Sequence, residues 1–390
     1  AHSYHQQRQK IHYESLQQGG IVSGLGVTVG PVPTSAPSKY RQARWLTIQP
    51  GLAIDTWGNP IVVAHAEGCY LSAQLTETTT IYIVLRHSDR SNTGQPPGTD
   101  IVQEAFQILE KNSPPDSGEV ELCRVQLTPE ATEILPPTEV FFPQENQLDL
   151  RFRPSVQAKP RHQATVSPWS RRSDVHHHFQ ALGQALPGLY PSLQVDINTE
   201  ALTGDLTHLS HSDFKALDRS EQQYIAAYLR SGGVLLVEAE WGKLGELYQI
   251  EAELSRAIAA GRLGTATPLQ QDAEQELLAL QTTLGTHIDA LAEPLLALLE
   301  QEDLPRSENL SEEVRSQPFT FAQWPTLHDM PVGLYGWGGL LLVVGPLTQI
   351  WQGLDLPRHE LRAAQELGIN LLHFAARRRQ LHQLITPPAH

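Results

Sequence analysis

The sequence predicts a two-domain α+β chain. A β-rich domain is expected over about residues 1–150, and a three-layer α/β domain with a long helical insertion over about residues 173–390. Three observations predict this. Short segments rich in β-branched residues, separated by turn formers, recur through the first half. Two unbroken apolar runs in the second half, Val234–Val237 and Leu340–Val344, lie between helical patterns, as strands buried on both faces do. A chain of 390 residues also exceeds what one ordinary core serves.

Residues 3–18 (SYHQQRQKIHYESLQQ) have the pattern of a polar helix stopped by Gly19-Gly20, since glycine takes the left-handed cap conformation without a Cβ clash. From Ile21 onward IVSGLGVTV, RWLTIQ, GLAID, PIVVAHA, TTIYIVLRH, VQEAFQILE and EVELCRVQL follow as strands. Their spacing argues for a sandwich or barrel-like arrangement. A hairpin is expected at Thr56–Asn59, with Asp55 and Gly58 as turn residues, Gly51 leading in, and Ile54 and Ile61 directed inward. Residues 151–172 then hold three prolines, six Lys or Arg and no acid, which predicts an extended basic linker.

In the second domain VHHHFQALGQALPGLY reads as a helix, VDINTEAL as a short edge segment and THLSHSDF as a strand. Residues 218–230 form a helix capped by Asp218 with Glu221 three positions on, and stopped at Ser231 by Gly232 and Gly233. Two long helical stretches, about 241–262 and 269–302, interrupt the α/β pattern. In the second, Leu277, Leu280, Leu284, Ile288, Leu291, Leu295 and Leu298 recur at steps of three and four, a heptad seam. Residues 268–304 carry eight acids and no Lys or Arg, and Pro294 is expected to kink or restart the helix. Two readings of the seam stand side by side: packing on its own domain, or a docking arm for another subunit. The same holds for the basic stretch, which either lies on this chain's own acidic surface or meets a partner. The candidates for partner contact are Leu277, Leu284, Ile288, Leu291, Leu295, Arg151, Arg153, Arg171 and Arg172.

Charge and composition narrow the partners. A formal net charge of −15 repels a phosphate backbone, so nucleic acid is not expected. Cys69 and Cys123 are two isolated thiols with no CxxC spacing, which points to a reducing, cytosolic site of folding. The longest apolar runs fall far short of the ~20 residues that span a bilayer, and residues 1–18 lack a signal-peptide core.

No motif carries a reaction. The glycines at 19, 20, 24, 26 and 30 match neither a dinucleotide nor a P-loop fingerprint, and those at 336, 338 and 339 precede a strand rather than a helix. His176, His177 and His178 project about 100° apart on a helix and do not converge on one ion, so no metal or cofactor is expected. An enzyme built on this fold would use the carboxyl ends of its strands. There the chain offers His208, His211, Asp213, the pair Glu238 and Glu240, and Gly345 to Thr348. The domain holds no cysteine and no GxSxG elbow, so a cysteine amidotransferase is excluded and no catalytic residue is assigned.

The first half resembles the N-terminal module of tail-fibre and baseplate-associated proteins of phages and phage-tail-like contractile injection systems. The matching residues are Tyr4 to Arg8, His12, Gly20 to Leu25, Pro50 to Asp55, Gly58, Ile61 to Val63, Ile81 to Leu85 and Glu119 to Leu127. The chain begins inside that motif, so an upstream segment is expected. The second half resembles a bacterial domain among the amidotransferase-like (flavodoxin-like) α/β folds, without their catalytic residues. Leu217 to Val237, Gln317 to Phe321, Gly339 to Trp351 and Ala364 to Phe374 carry this likeness, while 241–302 is longer than is usual there. Together the resemblances imply a structural subunit at or around the baseplate, present in several copies of a large cytoplasmic particle and contacting baseplate, sheath or fibre subunits. Two alternatives stand beside it: a hydrolase or transferase using Glu238 and Glu240, and an adaptor tethering the particle to a membrane or receptor through 241–302.

Overall fold

The structure, a computed structural model, describes residues 19–30, 44–89, 104–156, 162–169, 175–198, 202–261, 268–307, 310–327, 330–353 and 356–386. The helix expected over 3–18 lies outside them. The chain is a mixed α/β protein with several sheets. None of its described helices is long and apolar enough to cross a membrane. It divides into two compact units, residues 1–159 with 380–390, and residues 160–379.

The first unit holds strands β1 (Gly20–Gly24), β2 (Val27–Val29), β3 (Trp45–Ile48), β4 (Gly51–Ile54), β5 (Pro60–Val63), β6 (Glu67–Tyr70), β7 (Thr79–Asp89), β8 (Glu104–Lys111), β9 (Glu119–Leu127) and β10 (Leu148–Asp149). They form three antiparallel sheets, ordered β1-β4-β5, β2-β3-β6 and β10-β9-β7-β8, rather than a closed barrel among the described residues. The β4–β5 hairpin closes as a carboxylate-capped turn. Asp55 is fully buried, and its carboxylate accepts the amides of Trp57 (2.9 Å) and Asn59 (2.8 Å) and the Asn59 side-chain amide (2.9 Å). Gly58 sits at φ 83°, where a side chain would be strained. Ile61 points inward as expected, but its directly opposed partner is Ala53, so Ile54 falls on the other face and is only half-buried. The side-chain period of two decides this: neighbours on one strand cannot both face the core.

The second unit is built on one six-stranded sheet of β11 (His162–Pro168), β12 (Leu193–Ile197), β13 (Leu206–Ser210), β14 (Val234–Ala239), β17 (Gly333–Trp337) and β18 (Leu340–Val344), ordered β12-β11-β13-β14-β18-β17. All neighbours are parallel except β17, an antiparallel edge, and β15 (Thr326–Leu327) pairs with β16 (Met330–Pro331) apart from it. Val234–Val237 and Leu340–Val344 are interior strands. The chain leaves β11 for β12 on one side and for β13, β14 and β18 on the other, so the order reverses between β11 and β13.

That topology corrects the linker. Residues 162–168 do not string two domains together; they are an interior strand, with Ala164, Val166 and Ser167 buried. Prolines and cations at 151–161 set the composition of the stretch and hid its short period-2 segment. The division between units falls at residue 159 instead.

Helices cover both sheet faces. Helix α1 (Val175–Leu189) joins β11 to β12; α2 (His211–Lys215) and α3 (Arg219–Arg230) join β13 to β14. Before β17 come α4 (Lys243–Gly261), α5 (Pro268–Gln301) and α6 (Leu310–Ser316), while α7 (Leu347–Ile350) and α8 (Arg358–Ile385) follow β18. THLSHSDF is thus half strand and half helix, because Ser210 accepts the Asp213 amide and starts α2. The α3 capping box is complete: the Asp218 carboxylate accepts the Glu221 amide and the Glu221 carboxylate accepts the Asp218 amide, both at 2.9 Å. Gly232 takes φ 90° beyond it. A Cβ on Gly233 would lie 2.3 Å from the Tyr228 ring.

Leu235, Val237 and Ala239 stand beside Leu340, Leu342 and Val344, and this face packs on α3, α4 and α5. On the opposite face His208 meets Phe179 of α1, which in turn meets Trp351 just after α7. Pro294 lies inside α5 without ending it.

Candidate functional site

The carboxyl ends of the parallel strands gather the residues with the most chemistry. Parallel register sets His208 beside Leu236 and Ser210 beside Glu238, so His208 and Glu238 project from one face of adjacent strands. His208 Nε2 lies 2.8 Å from Glu238 Oε2. Thr348, at the start of α7, donates its hydroxyl to Glu238 Oε2 (2.6 Å) and its amide to Oε1 (2.9 Å). Burial pushes the Glu238 carboxyl up, but the imidazole and the two Thr348 donors outweigh it and hold the group below the usual range. A carboxyl serving as general acid needs the reverse shift. His208 is buried, and its Nδ1 finds no hydrogen-bond partner among the described residues.

Glu240 is exposed and takes no part in this cluster, so the structure does not bring the two carboxylates together as an acid–base pair. The spacing fails because β14 ends at Ala239, and strand periodicity does not carry through the turn. His211 pairs with the Leu291 carbonyl of α5 at 3.0 Å, and burial pulls its pKa down. Asp213 accepts the Ser210 hydroxyl at 2.8 Å. These contacts fasten α2 and α7 to the sheet edge. Sequence reasoning placed Thr348 near a strand end but did not pair it with Glu238. A short turn after β18 brings it back over β14, and only the strand order makes them neighbours.

The seam of α5 resolves toward the domain itself. Leu284 and Leu295 are buried and Ile288 and Leu291 half-buried against the sheet-face core, while Leu277 is half-buried further along the helix. This corrects Leu284 and Leu295 as partner contacts, because a heptad pattern says which helix face is apolar but not which surface it meets. Leu278, one step off the seam, is exposed. One of the acids of this stretch, Glu302, pairs with Arg219 (2.9 Å) and, more loosely, Arg230 (3.7 Å) of α3. Since α4 and α5 line one face of the sheet, their removal would strip that face rather than leave the sheet folded.

The arginines of the basic stretch turn inward as well. Arg151 forms a two-pronged pair with Asp149, both bonds 2.9 Å, and donates Nη1 to the Phe141 carbonyl at 2.7 Å. Arg153 reaches the Gly24 carbonyl at 3.3 Å, and burial draws its pKa down to about 10. Both make bonds within the first unit and are half-buried there. Arg171 and Arg172 lie outside the described residues. Gly51 is needed for a close approach, since a Cβ there would lie 2.4 Å from the Leu25 amide.

Burial pushes both thiols up, Cys69 to about 11, which keeps them protonated and poorly nucleophilic. His178 is buried, His176 half-buried and His177 exposed, as 100° steps require. Among the described residues no group of three His, Cys, Asp or Glu is placed to hold a metal ion.

Two buried polar residues, Arg44 and Asn370, were given no individual role from the sequence. Arg44 holds the carbonyls of Ala73 (3.0 Å) and Ala131 (2.8 Å), joining two loops of the first unit. Asn370 of α8 accepts the Phe319 amide (2.9 Å) and donates to the carbonyls of Val314 (2.5 Å) and Phe319 (2.7 Å). Asn370 therefore binds together LGIN and QPFTF, two segments far apart in the chain.

Comparison with known proteins gives no match to any family model, any curated protein or any solved structure.

Proposed function

We propose that this chain is a structural subunit of a phage-tail-like contractile injection system, at or around its baseplate. On this reading the first unit attaches and the second, an amidotransferase-like α/β domain without a catalytic apparatus, is a scaffold. One observation carries the attachment role. The motif residues Pro50 to Asp55, Gly58 and Ile61 to Val63 build a carboxylate-capped hairpin whose outer side leaves Val62 exposed and Leu52, Ile54 and Pro60 half-buried. The scaffold role is supported by Glu238, whose oxygens accept donors from His208 and Thr348 of the same unit. Assembly in several copies, with neighbouring baseplate, sheath or fibre subunits, follows from the same reading.

The test is to tag the chain in its native host, isolate sedimenting particles and count copies by quantitative mass spectrometry. A fixed integer ratio to a ring-forming tail subunit is expected. Recovery only in the unsedimented fraction would overturn the assignment, as would a hydrolytic turnover abolished by Glu238→Gln.

A further inference from the structure

The six-stranded sheet of the second unit ends in two unlike edges. At one, β17 packs against α6. At the other, among the described residues, β12 pairs with β11 alone. The Asn198 amide donates to the Val166 carbonyl of β11. By strand alternation the main-chain groups of Gln194 and Asp196 therefore turn toward β11, and those of Leu193, Val195 and Ile197 turn away. The Leu193 amide is taken by the Tyr190 carbonyl. The Leu193 carbonyl, both groups of Val195 and the Ile197 amide have no main-chain partner among the described residues.

A groove of about 340 Å³ runs beside this edge, between Leu193–Asp196 and Gly183, Leu186 and Pro187 of α1. Its apolar part is made by Leu186 and Leu193, both buried. Glycine inside a helix is destabilising relative to alanine, and packing does not demand it at Gly183, where a Cβ would meet nothing within 4 Å. The missing side chain leaves the space beside β12 open.

Outward N–H and C=O groups at the strand repeat are matched by the main chain of another extended segment, and a groove beside them takes that segment's alternate side chains. Charge indicates which kind of segment. Asp196 is exposed, accepts one bond from Gln163 (3.2 Å) and pairs with no cation among the described residues. Neither α1 nor β12 contains a Lys or Arg, so a second copy aligned on this edge brings the same carboxylate and no cation. A strand of different sequence, with Lys or Arg on the side opposite its apolar residues, meets Asp196 and the groove together, because the side chains of Val195 and Asp196 leave β12 on opposite faces.

We infer that the β12 edge and α1 together form a strand-addition site for an extended segment of a different polypeptide, with its apolar side chains toward α1 and a Lys or Arg beside Asp196. This contact rests on the subunit reading only in taking the partner to be a neighbouring subunit, and it is tested without particles.

Purified full-length chain is panned against a phage-displayed library of random dodecapeptides, and the most enriched peptide is synthesised. Enriched sequences should alternate apolar residues with others that include Lys or Arg. N-methylating alternate amides of the peptide should abolish binding in one phase of the alternation and spare it in the other. Val195→Pro removes an amide that β11 does not use, at a place where an edge strand tolerates proline. It should keep the wild-type far-UV spectrum and weaken the peptide at least tenfold. Gly183→Leu should weaken it as much by filling the groove, while favouring the helix. Asp196→Lys should reverse the preference toward a version of the peptide with Glu in place of each cation. No enrichment, or a selected peptide that binds Val195→Pro and Gly183→Leu as it binds wild type, overturns the inference. A wild-type dimer in sedimentation velocity that Val195→Pro abolishes overturns it too, by giving the edge to a second copy. Strand capture by a chain that never enters a particle would sink the subunit reading alone; a failed selection with a fixed particle ratio would sink the strand-addition site alone.

Discussion

Strands β14 and β18 of the second unit and β4 and β5 of the first share a sequence character, with apolar side chains on both faces. Their surroundings differ. Leu235, Val237, Leu340 and Leu342 lie under α3, α4 and α5, and Leu236 and Leu341 are buried on the reverse side. In β4 and β5 the Ala53–Ile61 side is buried, while the Leu52–Val62 side is half-buried to exposed. A run that is apolar on both faces therefore states a demand for cover. Helices of the same unit meet it in one case, and in the other Val62 and Val22 stay exposed.

The sharpest way to break this contrast is to place a carboxylate in each region. Leu236→Asp puts an unpaired charge where exposure is 1%, and should cost about 4 kcal/mol or more, unfolding the second unit in far-UV circular dichroism. A folded variant with an unshifted denaturation midpoint would remove the distinction.

Next in size is Glu238→Gln, which keeps the shape but leaves His208 and Thr348 facing a neutral amide. A loss of about 3 kcal/mol is expected by chemical denaturation, since one member of a buried pair has been removed. The wild type also carries a pH signature. Because the folded Glu238 carboxyl lies below its unfolded value, its contribution is complete above about pH 4.3 and is lost as pH falls through the folded value. The variant should lack that acid slope; an identical slope would mean that other carboxyls set it.

On the hairpin, Asp55→Ala strips the turn of its acceptor and leaves the Trp57 and Asn59 amides unpaired. A loss of about 2 kcal/mol is expected, and Asp55→Asn should recover much of it because one oxygen suffices for both amides. Equal losses in the two variants would show that the carboxylate charge, not the turn geometry, matters.

The smallest effect should come from Val62→Asp, within about 0.5 kcal/mol in denaturation of the full chain at a concentration where it is monomeric. A loss as large as that of Leu236→Asp would mean that the outer face is already covered within one molecule.

Where each strand and helix lies was largely legible because local chemistry decides it. Asp218 with Glu221, Gly232 with Gly233, and Asp55 with Gly58 each act within a few residues, so spacing alone announces them. The site was less legible. Glu238 and Thr348 stood out only as residues near strand ends, and nothing local says that a turn after β18 returns Thr348 to β14. The seam on α5 was visible, yet its partner was not, because Leu284 and Leu295 would look the same against a sheet or against another subunit. Strand β11 was hidden altogether, since prolines and arginines just before it dominate the composition.

By itself the sequence determined which segments are apolar on one face or two, where helices start and stop, and that the chain is acidic and lacks a cysteine nucleophile in its second half. Those properties follow from backbone geometry and side-chain chemistry over a few residues. Only the tertiary structure decided which apolar faces meet one another, that Arg151 and Arg153 turn inward, and that His208, Glu238 and Thr348 share one cluster. Contacts between distant segments depend on strand order and register, and these are set by the packing of the whole core.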